Sequence, residues 1–332
     1  MNAWKKSLDA AGIREPELRR DYDAQRWLVS RFRRSSYLAA QLLLPRPMLP
    51  HVVAATAVMH HGDNLLDSGP KSQRAARWAS WEQQMRQVLD TGVSGDPLLR
   101  TLAHTIAAHP RLRRPVEDYL STATAELEFT GFLDEADYQA YVDAYSLPAF
   151  MLVGALLGPG ADDGPYRTAC RAFIDGSQRM DFVNDIAEDL REGRLGIPAK
   201  TLERFSVTLE DLAAGREVPG VRELVDHEVR QARTALEAAR ELPFLVPVPY
   251  RPLMGALVEV ELLTADAVPA RGAKLLRGSA RPPLVTTLRV LLSARRRVRK
   301  GADGCAGSPM PSSSPSAVIR RETQARAGRG SP

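Results

Sequence analysis

The chain has 332 residues, 44% hydrophobic and 26% charged, a balance that supports a sizeable core and excludes disorder throughout. Its two cysteines, Cys170 and Cys305, are too few for a disulfide scaffold and match no metal-ligand spacing, which points to a thiol-reducing compartment. The formal charge is +5, but residues 295–332 hold nine Lys and Arg against Asp303 and Glu322, a tail of +7 that leaves −2 for the rest. The basic character belongs to that tail, so the body is expected to have no nucleic-acid partner.

In chain order, residues 1–6 precede no apolar stretch of the secretory kind. No apolar run reaches the ~18 residues of a membrane span; the longest, 149–157, is bounded by turn formers. A cytoplasmic protein is expected. Strand alternation is scarce, and helical periodicity dominates 71–91, 113–130, 135–157, 164–192 and 219–241. Breaks fall at Pro45, Pro47 and Pro50, at Ser68-Gly69-Pro70, at Gly158-Pro159-Gly160, and at Pro243, Pro247 and Pro249. The fold class is therefore all-α, a body from about residue 15 to 294 without internal repeats. From 295 to 332 the composition turns basic and then rich in Gly, Ser and Pro, a tail expected to be disordered because it buries too little surface to offset its ordering entropy. Residues 284–300 run from apolar into clustered arginines and admit two readings. One is peripheral contact with an anionic membrane; the other is a terminal helix docked on the core with a solvated basic end.

Two segments carry acids at a telling spacing. Asp63 and Asp67 are four apart, on one helix face, at the end of a segment made apolar by Val52, Val53, Ala55, Val58 and Met59. Like charges there cost free energy unless a cation sits between them. Asp181, Asp185 and Asp189 repeat at four-residue steps, with Glu188 beside them and Gln178 just before. Mg²⁺ is commonly held by one or two carboxylates while substrate phosphates complete its shell. A single Asp pair is usually a solvated helix face, but two such pairs in one all-α chain argue for a diphosphate site.

On these residues the chain resembles the squalene and phytoene synthases, in order over most of 30–290. Arg34-Ser35-Ser36-Tyr37, then Leu43-Leu44-Pro45, is similar to that family's opening Ser-x-Ser-Phe and Leu-Leu-Pro segment. Asp63 and Asp67 match its Asp-Asp-x-x-Asp motif, 141–158 resembles its mid-chain helix, and Glu126 stands where an acid precedes that helix. The second motif, Gln-x-x-Asn-x-x-Arg-Asp-x-x-Glu-Asp followed by Gly-Arg-x-Tyr-x-Pro, is met by Gln178, Asp185, Glu188, Asp189, Gly193, Arg194 and Pro198. Departures are Asn64 for Asp, Asp181 for Asn, Asn184 for Arg, Gly196 for Tyr, and His60 where an Arg is usual. Each lost charge-assisted contact to a diphosphate weakens binding by ~1.5–3 kcal/mol. A protonated His60 replaces part of that charge, whereas a neutral one only hydrogen-bonds at the cavity edge.

The resemblance implies a single class I isoprenoid synthase bundle around a central cavity, acting on prenyl diphosphates such as farnesyl or geranylgeranyl diphosphate with Mg²⁺, or Mn²⁺ in its place. It implies Asp63, Asp67, Asp185 and Asp189 as catalytic metal ligands, and Ser36, Tyr37, His60, Gln178, Asp181, Asn184, Glu188, Arg194, Arg277 and Arg281 as substrate-binding residues. The implied reaction is head-to-head coupling; squalene formation would need NADPH and phytoene formation would not. Two alternatives stand: a class I cyclase using Asn184, Glu188 and Glu192, and a non-catalytic homologue that binds prenyl lipid. Phe150, Met151, Leu152 and Phe173 are expected to set cavity depth.

Overall fold

A computed structural model describes residues 3–159, 164–216, 218–280 and 282–305, and among them there is no strand. Helix α1 (Ala3–Ala10) precedes the expected start at 15 and belongs to the body: Trp4 and Leu8 are buried, and the Trp4 indole donates to Asp23 Oδ1 at 2.6 Å. Helix α2 (Pro16–Phe32) opens on a proline, tolerated in a first turn where its missing N–H has no partner to lose. α3 (Arg34–Leu43) follows, and after the Pro45 and Pro47 break comes α4 (Leu49–Asp67), buried on nearly every side along its first ten residues. α5 (Lys71–Thr91) ends on Gly92 in the left-handed region, and α6 (Pro97–Ala108) is capped by Asp96, which accepts from the N–H of Leu98 and Leu99. α7 (Arg113–Thr122) adds one 3₁₀ turn, Ala123–Glu126, and stops short of the expected 130. Phe129 and Phe132 pack with Tyr141 and Phe182 instead, and burying those rings outweighs a further helical turn.

The chain then runs through α8 (Glu135–Tyr141), a π-helical turn (Val142–Ser146) and α9 (Leu147–Leu157). Pro148 has no N–H for the carbonyl one turn back, and the helix widens just before it. Joined, Glu135–Leu157 is long and apolar enough to cross a membrane, contrary to the expectation from sequence; 67% of its most apolar window is buried inside the protein, as in a core helix. The stretch read as one helix over 164–192 is two, α10 (Gly164–Asn184) and α11 (Ile186–Arg191), bent at Asp185. α12 (Ala199–Arg204), α13 (Leu209–Ala213), α14 (Pro219–Ala238), α15 (Leu242–Leu245), α16 (Arg251–Ala267), a 3₁₀ stretch (Pro269–Arg277) and α17 (Leu284–Cys305) complete the order. α17 stays helical across the compositional boundary at 294; the remainder of the expected tail, 306–332, lies outside the described residues.

α4, α9 and α10 are packed by α2, α6, α14 and α16 around the main core, while Ile186, Leu195, Ile197 and Leu202 nucleate a smaller cluster behind the Asp185 bend. Close packing reaches the first acidic segment. A Cβ on Gly62 would lie 2.4 Å from Tyr119 Oη and 3.3 Å from the Trp81 ring. Gly62→Ala is therefore expected to destabilise by about 1–3 kcal/mol despite its better helix propensity, seen as a fall in Tm of several degrees.

Between α2, α4 and α6 lies a buried polar knot. Tyr22 Oη is 2.9 Å from Thr105 Oγ1 and 3.0 Å from His104 Nδ1, and His51 stacks on His104. Burial, then His109 and His104, push His51 down to about 3. The unfolded chain takes up that proton first, so this stability is complete above pH 6.5 and falls toward pH 3 at ~1.4 kcal/mol per unit. Urea midpoints at pH 7, 5 and 4 should drop accordingly, and His51→Asn should flatten the slope.

Candidate active site

Asp63 ends the apolar run of α4 and is held from two sides. Tyr145, carried by the π-helical turn, donates its hydroxyl to Asp63 Oδ1 at 2.7 Å, and Arg33 Nη2 lies 3.4 Å from Oδ2. Burial raises the Asp63 carboxyl above its ordinary range; Tyr145 pulls it back and Asp67 pushes it up. Asp67, one turn on, accepts from Ser68 Oγ at 2.7 Å. His60 is buried, 3.2 Å from the Asn64 side-chain amide, and in ring contact with Phe32. Burial and the Arg33 charge lower its pKa. Asp63 and Asp67 pull the other way, and the contact with the Asn64 amide accords with the hydrogen-bonding reading of His60. Arg33, which no motif flagged, is the cation present beside Asp63.

On the opposite wall Asp185 sits at the bend, where Ser279 Oγ donates to its Oδ1 at 3.3 Å and the Ala280 N–H donates to Asn184 Oδ1 at 2.9 Å. Burial raises Asp185, with Ser279 opposing, and lifts Asp189 to about 6 against the pull of Arg194. Arg194 is engaged rather than free: it pairs with Glu126 at 3.4 Å, Asp189 at 3.4 Å and Glu192 at 3.1 Å. It also lies in the field of Asp67, so it ties the first acidic segment to the second. Glu126, pushed by burial up to about 7, accepts from the Tyr141 hydroxyl and feels both Asp63 and Asp67. Glu188 is exposed, on the outer side of α11. Gln178 accepts from Ser146 Oγ at 3.0 Å. Arg277 ends the 3₁₀ stretch, and Arg281 lies outside the described residues.

A pocket with apolar walls lies along the earlier part of α4. Val53 and Thr56 of α4, Ser36 and Tyr37 of α3, Phe150 of α9 and Leu257 of α16 line it. Of the four residues expected to set depth, only Phe150 is on this wall; Phe173 packs behind it at 5.3 Å, and Met151 and Leu152 belong to the core. The Tyr37 hydroxyl is buried with no hydrogen-bond partner. Desolvation, then Asp185, push Asp181 up to about 7. Glu261, one turn beyond Leu257, is lifted to about 8 by burial and by Asp181, with Ser177 hydrogen-bonding it. No motif contained Glu261. Tyr145 had a faint signal, since Tyr138, Tyr141 and Tyr145 recur at helical spacing.

The missing family tyrosine at Gly196 is explained by packing. A Cβ there would meet the Phe182 ring at 2.0 Å, so Phe182 fills the place.

Among the described residues no three His, Cys, Asp or Glu converge into a closed metal cage. The donor set nonetheless fits a hard cation completed by phosphate oxygens: Asp63, Asp185 and Asp189 carry charges that burial penalises, and Asp189 Oδ2 is buried without a hydrogen bond.

A sequence model described as squalene/phytoene synthase matches residues 29–294. The chain belongs to the squalene/phytoene synthase family. It is 25% identical over 306 residues to a bifunctional CrtB/UppS protein of Streptomyces coelicolor, covering 86% of this chain and 54% of that one, so it spans about half of that relative. A phytoene synthase of Thermus thermophilus is 27% identical over 209 residues, 62% of this chain and 69% of the relative. Among solved structures, squalene synthase HpnC from Alicyclobacillus acidocaldarius superposes with a TM-score of 0.68 at 25% identity, covering 81% of this chain and 99% of that one. A ligand-bound dehydrosqualene synthase reaches 0.74 at 18% identity over 86% and 98%, and shows the shared fold.

Proposed function

We propose that this chain is a Mg²⁺-dependent prenyl diphosphate coupling enzyme of the head-to-head type. The observation that best supports this is α4 itself, which lines an apolar pocket with Val53 and Thr56 and, two turns after Thr56, carries Asp63 within the field of Asp181 from α10. Asp63, Asp67, Asp185 and Asp189 would hold the cation, which when bound neutralises the charge gathering on the departing diphosphate. Tyr145 and Arg33 keep Asp63 in one orientation, Arg194 keeps Asp189 beside Glu126, and the apolar walls exclude water from an allylic cation. The Ala280 N–H occupies the Asn184 oxygen, which weighs against the cyclase alternative, where that oxygen would bind metal.

The test is incubation with Mg²⁺ and farnesyl or geranylgeranyl diphosphate, each alone, with and without NADPH, followed by product mass. A doubled carbon count is expected. An unchanged count would establish cyclisation, and substrate binding without diphosphate release would establish the non-catalytic reading. A product two hydrogens heavier with NADPH would assign reductant use.

A further inference from the structure

Helix α17 has an inner face that packs and an outer face that does not. Val290 and Leu291 lie on the core and Ala294 is 1% exposed, whereas Leu284 is 85%, Val285 64%, Leu288 54% and Leu292 41% exposed. Four of the twelve large hydrophobic side chains exposed among the described residues are on this one helix, so the patch is not the scattered exposure of an ordinary surface. Leu284, Leu288 and Leu292 are four apart and make a continuous stripe. It leads directly into Arg295, Arg296 and Arg297, all exposed, with exposed Arg289 alongside. Between residues 267 and 302 the chain has ten Lys and Arg and no Asp or Glu.

We propose that this outer face of α17 rests on an anionic lipid bilayer, with the leucines at the acyl boundary and the arginines among the headgroup charges. The charge pattern selects this occupant. A second copy of the chain would offer these arginines no acid from the same face, and a nucleic acid would leave the leucine stripe in water. A surface that is both apolar and anionic matches both halves. The placement also suits the site, because Ser279 and Ala280, which bond Asp185 and Asn184, lie only a few residues before α17 begins. Docking would bring the acidic mouth close to the phase in which long apolar chains dissolve. The surface itself does not depend on the reaction proposed above.

Sedimentation of the full chain with vesicles tests it. Phosphatidylglycerol vesicles should retain the protein at least tenfold more strongly than phosphatidylcholine vesicles. Replacing Arg295, Arg296 and Arg297 together by Gln should weaken retention on the order of a hundredfold, and raised salt should act in the same direction. Leu288→Glu with Leu292→Glu should abolish it. All five positions are exposed, so an unchanged melting temperature separates lost docking from lost folding. Equal retention on both lipids, retention of the double Glu variant, or a dimer broken by Leu288→Glu without vesicle binding would each overturn the proposal. No turnover is read, so the outcome is separate from the fate of the coupling reaction.

Discussion

Asp189→Asn is expected to slow turnover about a thousandfold and, in the metal-free protein, to raise the melting temperature. Both effects come from one cause. Burial lifts Asp189 to about 6 from an ordinary 3.8, so at neutral pH its charge opposes folding; the penalty is absent below pH 3.8 and complete above 6. Two units correspond to at most about 3 kcal/mol, and Asn removes it along with the proposed metal ligand. Differential scanning fluorimetry should therefore show the variant more stable than wild type at pH 7.5 and equal to it near pH 4. Mg²⁺ with inorganic diphosphate should stabilise only the wild type. Undiminished diphosphate release by the variant would remove Asp189 from the site.

Arg179→Ala is expected to cost the fold about 3–5 kcal/mol, the largest loss from any single substitution considered for this chain. The guanidinium is 4% exposed, 3.0 Å from Glu228 and 3.4 Å from Asp175, bonded to Glu135, and stacked 4.0 Å above the Tyr138 ring. It joins α8, α10 and α14. Without it Glu228 stays buried and unpaired. Burial already raises Glu228 although Arg179 opposes this, so in the variant Glu228 takes up a proton and the deficit should shrink between pH 8 and pH 5. Urea unfolding at the two pH values measures this, and Arg179→Met with Glu228→Leu should recover much of the loss. A deficit below 1 kcal/mol at pH 8 would show that the surrounding acids never needed the charge.

Local pattern predicted α5 at 71–91 and placed Asp63, Asp67, Asp185 and Asp189 at helical spacing, because both depend on neighbours within one or two turns. It failed at Asp185, where contacts from Ser279 and Ala280 meet a bend in an uninterrupted periodic stretch. It also failed at 127–130, where aromatic packing ended a helix whose composition favoured continuing.

Residue type and spacing by themselves determined an all-helical chain, two sets of carboxylates, and a basic segment following an apolar one. Which of those groups carry charge, and what each one touches, was decided only when residues such as Asp63 and Tyr145, 82 positions apart, came together. The physical reason is desolvation. A histidine loses basicity, a carboxyl group rises to about 7, and an arginine is committed to three acids according to the protein that surrounds them in space, which no stretch of contiguous sequence specifies.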